Sequence, residues 1–166
     1  MRKAIIDSCF INKFKDGTDL VDDFFKLMRE LNIELFMHPY IAEYELDMFP
    51  YIDKLIEQGV FSVISYEVFL PNELYKTMYQ SLYIEIYNEF VDRMELINPR
   101  KAELMKKLDA DTNVFRTRYS KSSMGDVHMI MLALYEDIPI ILSEDNKDLW
   151  EAYNIAKPKI EREGYM

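Results

Sequence analysis

Lys3-Ala4-Ile5-Ile6-Asp7-Ser8 near the amino end and Pro139-Ile140-Ile141-Leu142-Ser143-Glu144-Asp145 near the other end read alike, each a short apolar run carried onto an acid. Runs of this length rich in β-branched residues favour an extended backbone. If both are strands of one sheet, each delivers a carboxylate at its carboxyl end, where open α/β sheets bind their ligands. Two acids at such an edge imply a shared anionic pocket that attracts a divalent cation.

Working outward, Ala4 to Cys9, Ile33 to Met37, Val60 to Ile64 and Ile138 to Leu142 have strand length, and the sequence between them reads as helix. Leu20, Phe24, Leu27 and Leu31 recur at helical spacing, as do Leu46, Ile52, Leu55 and Ile56 around Pro50. The order β, α, β, α, α, β, more helix, then a last β and α predicts an α/β domain. Its central sheet is mainly parallel, of about four to five strands, and flanked by helices. The longest helical stretch runs from Pro71 to about Ile97, before Asn98-Pro99. Leu74, Met78, Leu82, Ile86 and Phe90 form one stripe along it, with Tyr75, Tyr79, Tyr83 and Tyr87 beside it. That face is expected to pack on the sheet and the next helix; a homodimer contact or a base-stacking surface is the functional alternative.

A chain of 166 residues that is 49% hydrophobic, with only 4 Gly and 6 Pro, suits one domain over 1–166 and excludes disordered and collagen-like classes. Cys9 has no partner for an internal disulfide and is expected to be buried, which favours a reducing compartment. The apolar run after Met1-Arg2-Lys3 stops at Asp7, too short for a secretory core, and no uncharged run approaches the length of a membrane span. A cytoplasmic protein with no membrane partner is expected. The net charge of -10 opposes diffuse attraction to nucleic acid. Residues 100 to 121 run the other way, with Arg100, Lys101, Lys106, Lys107, Arg116, Arg118 and Lys121 against Glu103, Asp109 and Asp111. Such a segment serves equally as a phosphate-contacting rim or as an ordinary solvated surface.

Four acids are candidates for chemistry. Asp7 ends the first strand; its ordinary role would be to accept backbone N–H groups in the following turn. Ser123-Met124-Gly125-Asp126 opens an apolar helix continuing through Val127, Met129, Ile130, Ala133 and Leu134, and the spacing is that of a capping box. Asp145 follows the last strand, with Asp148 its nearest rival. A fourth acid comes from the helix after the second strand. There Glu45, beside Ile41 and Leu46, is favoured over Glu43, and the two cannot share a helix face. His38 and His128 lack Cys or His partners at zinc-ligand spacing.

Together these pieces resemble the PIN domain, a family of small metal-dependent nucleases: a hydrophobic strand ending in Asp7-Ser8, an acid in the second helix, Gly125-Asp126 opening an apolar helix with Ala133, and Leu142-Ser143-Glu144-Asp145 at the fourth strand. The likeness covers most of the chain and implies a PIN-like three-layer sandwich, with residues 71 to 121 as a less typical helical insertion. It further implies that Asp7, Glu45 (or Glu43), Asp126 and Asp145 bind Mg²⁺ or Mn²⁺. Asp148 would stand behind them, and Ser143 would hydrogen-bond near the metal. RNA is the implied substrate, with Arg116, Arg118 and Lys121 on its phosphates.

Phosphodiester hydrolysis needs charge neutralised on the phosphate and a water made nucleophilic near neutral pH, and a divalent metal does both. Hard oxygen donors suit Mg²⁺. Acids crowded in one cleft repel one another, so metal binding should weaken as pH falls. Two other classes of function compete: a PIN-fold binding or scaffold protein without turnover, which suits the acidic charge and the tyrosine-rich helix, and the toxin of a type II toxin-antitoxin pair with an antitoxin-like protein partner.

Overall fold

The computed structural model describes residues 1–11, 18–45, 51–118, 123–143 and 146–163. Four strands, β1 (Arg2–Ile6), β2 (Ile33–Met37), β3 (Ser62–Val63) and β4 (Ile140–Leu142), form one sheet in the order β3-β2-β1-β4, and every pairing is parallel. Parallel neighbours require crossovers, which the helical segments between the strands supply. From β1 the chain steps outward to β2 and β3, then returns to β4 on the other flank of β1. The strand order therefore reverses between β1 and β4, where an α/β sheet opens a crevice at its carboxyl edge.

Helices α1 (Ser8–Ile11), α2 (Thr18–Glu30), α3 (Pro39–Tyr44), α4 (Tyr51–Glu57), α5 (Tyr66–Phe69), α6 (Glu73–Ile97), α7 (Pro99–Glu103), α8 (Met124–Tyr135) and α9 (Asn146–Arg162) complete the described chain. The core is built from β1, whose Ala4, Ile5 and Ile6 are fully buried, and from α8, which is buried at every position from Met124 to Leu134 except Asp126. Helix α8 packs on β1 and against α3, α6 and α9, while α2 lies against β2. No described helix is long and apolar enough to cross a membrane.

Several boundaries differ from the sequence reading for identifiable reasons. The first strand ends at Ile6 because Asp7 starts a helical turn: its Oδ1 accepts the Phe10 N–H at 2.8 Å and its carbonyl accepts the Ile11 N–H. Cys9, placed by this turn, is exposed rather than buried. Strand β3 is shorter than the Val60 to Ile64 run, since Val60 and Phe61 turn into the core as buried side chains before it begins. Among the described side chains of α2, Met28 is buried and Phe24 packs partly buried against the core, while Leu27 and Leu31 of the expected stripe are exposed. Leu46 and Pro50 lie outside the described residues.

Helix α6 starts at Glu73, two residues beyond Pro71, because Asn72 caps it by accepting the Tyr75 N–H. Tyr79, Tyr83 and Tyr87 are completely buried, which confirms the packing role and excludes these three from a dimer contact or a base-stacking surface. The loop after α7 returns along α6 through a two-way amide clamp. Asn88 Nδ2 donates to the Leu108 carbonyl at 2.9 Å and Asn88 Oδ1 accepts the Leu108 N–H at 2.7 Å.

Candidate metal centre at the sheet edge

Asp7 and Ser143 stand directly after β1 and β4, the two strands flanking the reversal, and Ser143 Oγ donates to Asp7 Oδ2 across it. The Asp7 N–H also reaches the Leu142 carbonyl. Asp7 is only 3% exposed, and with both oxygens engaged its carboxylate is fixed by the fold rather than left to solvent.

The next residue brings in the second acid. Ser8 Oγ donates to Glu45 Oε1 at 2.8 Å, tying the end of β1 to Glu45, the residue that caps α3 at its carboxyl end. Burial raises the Glu45 carboxyl above its ordinary value; the Asp7 charge adds to this, while the Ser8 hydrogen bond and Arg118 pull the other way. A carboxylate whose ionised form is disfavoured in this way gains from a nearby cation.

Asp126 is the third. It is the one partly exposed position in the otherwise buried stretch of α8 from Met124 to Leu134, and its charge acts on Cys9 in the turn after β1. The residue before it explains the approach of Glu45: a Cβ on Gly125 would fall 1.5 Å from Glu45 Oε2. Glycine here makes room for a carboxylate. The capping box expected from Ser123 and Asp126 does not form, because Ser123 adopts a left-handed backbone (φ 61°) and makes no side-chain capping bond. The Ser123 half of a capping box is therefore missing.

The thiol of Cys9 registers this convergence. Partial desolvation raises its pKa first, followed by the charges of Asp7, Asp126 and Glu45. Such a thiol keeps its proton near neutral pH and is a poor nucleophile.

Asp145 and Lys121 lie outside the described residues. Glu43 is exposed and lines a neighbouring cleft, whereas Glu45 is tied to Ser8, next to Asp7. Asp148, 8% exposed, is held at 2.8 Å by Lys101 of α7, which takes one lysine away from the basic segment. Lys107 is likewise paired, with Asp92. Arg116 and Arg118 are exposed; the charge of Arg118 acts on Glu45 and that of Arg116 on Tyr44. Among the described residues, no group of three or more His, Cys, Asp or Glu side chains is gathered to hold a metal ion. The carboxylates of Asp7 and Glu45 are instead turned onto Ser143, the Phe10 amide and Ser8. The donor set itself, carboxylates and hydroxyls without thiolate or accessible imidazole, fits a hard cation such as Mg²⁺ or Mn²⁺.

Behind the acids lies a buried polar chain that sequence spacing does not reveal. The Tyr40 N–H donates to His38 Nδ1 at 2.9 Å, which places the proton of a neutral His38 on Nε2. That proton goes to the Tyr79 hydroxyl at 3.2 Å, whose own proton goes to His128 Nδ1 at 2.7 Å, and His128 Nε2 donates to the Val114 carbonyl at 2.9 Å. Every link has a donor and an acceptor, and both imidazoles are neutral. Burial accounts for this state, holding His38 well below its ordinary pKa and His128 at about 3. His128 also lies between the rings of Tyr40 and Tyr83, at centroid distances of 4.3 and 4.2 Å. Tyr83 donates to the Met124 carbonyl and Tyr40 to the Thr117 carbonyl, both at 2.7 Å.

These contacts lock the two helices that present acids. His38 caps α3, which ends at Glu45, and His128 sits two residues beyond Asp126 on α8. Comparisons with protein-family models, with curated proteins and with solved structures find no match to this chain, so the functional reading rests on the arrangement of these residues.

Proposed function

We propose that this protein is a PIN-type, metal-dependent endoribonuclease, with Asp7, Glu45, Asp126 and Asp145 as the acids that hold Mg²⁺ or Mn²⁺. The observation that carries this reading is that Asp7 and Glu45 are tied together through Ser8 beside the reversal in strand order, and that the charges of Asp7, Asp126 and Glu45, from three separate elements, all act on Cys9 there. Acidic side chains at a sheet edge repel one another, and a divalent cation offsets that repulsion.

A bound divalent ion supplies Lewis acidity toward the phosphate and lowers the pKa of a water it holds. The chain's own residues supply position. Ser143 and Ser8 each hold a carboxylate, Asp7 and Glu45 respectively, at the sheet edge, and these carboxylates would turn from their present partners to share an ion. Gly125 leaves room for the Glu45 carboxylate against the start of α8. Arg116 and Arg118 offer local positive charge to an RNA backbone that the overall charge of -10 repels.

Cleavage of a single-stranded RNA oligonucleotide with Mg²⁺ or Mn²⁺ is the direct test. Asp7→Asn and Asp126→Asn should each reduce cleavage to background while circular dichroism and thermal melting show an intact fold. Cleavage that survives both substitutions and excess EDTA would overturn the proposal. Absence of metal binding by calorimetry in the unmodified protein would do so equally.

A further inference from the structure

A cleft of about 740 Å³ opens beside the acid centre, reached from it along two elements. Glu43 and Tyr44 of α3 line the cleft immediately before Glu45, and Arg116 lines it two residues before Arg118, whose charge acts on Glu45. A chain bound at the acids and continuing along this edge would enter the cleft. Its size is that of a small-ligand site.

The lining is aromatic and hydrogen-bonding rather than simply basic. Tyr44, Tyr66 and Phe115 provide ring surface, with Tyr66 and Phe115 meeting edge to face at 5.3 Å, and Gln80 adds an uncharged amide. Ring surface of this kind stacks on a nucleobase. The charges, however, are Glu43, Glu67 and Glu73 against Lys76 and Arg116. With three carboxylates and two cations, phosphate attraction alone cannot account for binding, so the base must be recognised through donor groups. Glu73 is paired with Lys76 at 3.6 Å, and Glu43 hydrogen-bonds Tyr44. Glu67 forms no ion pair among the described residues.

Resting on the nuclease reading above, we infer that this cleft is a subsite for an unpaired guanine nucleotide of the RNA. Guanine is the one standard base with two adjacent donors, N1–H and the exocyclic amino group, on its pairing edge. A carboxylate accepts both at once with its two oxygens. Adenine, cytosine and uracil each place an acceptor beside the donor and turn it toward the acid. Glu67 takes the two donors, Gln80 offers an amide N–H to O6, the rings hold the base plane, and Arg116 meets the phosphate.

The test uses 5′-GMP, 5′-AMP, 5′-CMP and 5′-UMP as probes, titrated into the full chain in EDTA and followed by calorimetry and NMR. GMP should bind at least about tenfold more tightly than the other three. Glu67→Gln should remove that preference, while Arg116→Met should weaken all four nucleotides alike. Equal affinities for the four nucleotides, or a GMP preference that survives Glu67→Gln, would overturn the inference. Both variants alter exposed side chains, and thermal melting verifies that they fold. Asp7→Asn separates the two readings, since it should abolish cleavage and leave GMP binding unchanged. A chain that binds GMP in this way and cleaves no RNA retains the subsite and loses the nuclease; metal-dependent cleavage without nucleotide preference does the reverse.

Discussion

The same two helices, α3 and α8, feed two regions of opposite electrostatic character. At the sheet edge, burial and the Asp7 charge work against ionisation of Glu45, and the charges of Asp7, Asp126 and Glu45 all act on Cys9. In the core, His38 and His128 join Tyr79 in a chain where each proton has an acceptor and no charge is held. Buried polar groups stabilise when fully paired and cost free energy when not. The core region therefore tends to hold the helices still, while the edge stores unfavourable interaction that a cation would relieve. On the proposed reading, stability and function fall in neighbouring layers of one structure.

The largest effects should come from the edge, and they should separate activity from stability. Glu45→Gln keeps a partner for Ser8 and removes a repelled charge. It is expected to abolish metal-dependent cleavage while raising stability at neutral pH by on the order of 1 kcal/mol, the usual trade at a strained functional site. Gly125→Ala should act similarly on cleavage for a steric reason, since the new Cβ must displace Glu45 Oε2. That oxygen ends a flexible side chain, so the displacement should cost little stability. Activity assays paired with urea denaturation check both variants; a Gly125→Ala protein with full activity would show that Glu45 need not sit where it does.

The core should respond in the opposite sense. Tyr79→Phe leaves His128 Nδ1 without a donor and His38 Nε2 without an acceptor, at an expected cost of about 2–3 kcal/mol in stability. Protonation probes the same chain without mutation. Both histidines have lowered folded-state pKa values, so between about 6.5 and the His128 value of about 3 the unfolded chain takes up protons that the folded chain does not. Stability should therefore fall with pH below about 6.5, with a limiting slope of about 1.4 kcal/mol per pH unit for each histidine. Glu45 has the reverse sign. Its raised pKa means that the folded form gains a proton first, so its contribution to stability grows as pH falls through that raised value. Comparing pH profiles of the unmodified protein and Glu45→Gln by denaturation separates the two, and a flat profile from pH 7 to 5 would contradict the neutral-histidine chain. Metal binding should weaken over the same descent, as Glu45 takes up its proton.

Much of the edge was legible because it obeys local rules. β2 spans the run read for it and β4 lies within its own, while β1 shares only Ala4 to Ile6 with its run, starting earlier at Arg2 and ending before Asp7; Asp7 follows it directly because an apolar run ending in an acid is a local pattern. Gly125-Asp126 was visible as a helix start, although the cap suggested by Ser123 is absent and the glycine serves a carboxylate from another helix. The core was far less legible. Its hydrogen bonds join residues 41 and 49 apart, and no periodicity reports them. His38 and His128 could be dismissed as zinc ligands from their spacing, but their partner is a tyrosine that the helical pattern marks only as buried. The misplacement of Cys9 has the same origin in reverse: one hydrogen bond from the Phe10 amide to Asp7 ended a strand that propensity would have continued.

The smallest effect is expected far from both regions, where α9 is tied to α6. Lys159 reaches Glu85 at 3.0 Å and Glu89 at 2.9 Å, and Arg162 reaches Glu85 at 3.5 Å. The Lys159 hydrogen bond is the main reason the Glu85 carboxyl lies below its ordinary value. Yet the Glu85 and Glu89 side chains are 48% and 45% exposed, so solvent and salt screen the attraction. Lys159→Met retains most of the aliphatic packing and removes the charge, and it should cost no more than about 1 kcal/mol, diminishing as salt is added. It should leave metal binding and cleavage untouched. Denaturation at low and high salt, run beside the activity assay, checks this. If Lys159→Met impaired cleavage as strongly as Tyr79→Phe, the division between an edge that performs chemistry and a core that positions it would fail, because any loosening of α6 would then suffice to disturb the acids.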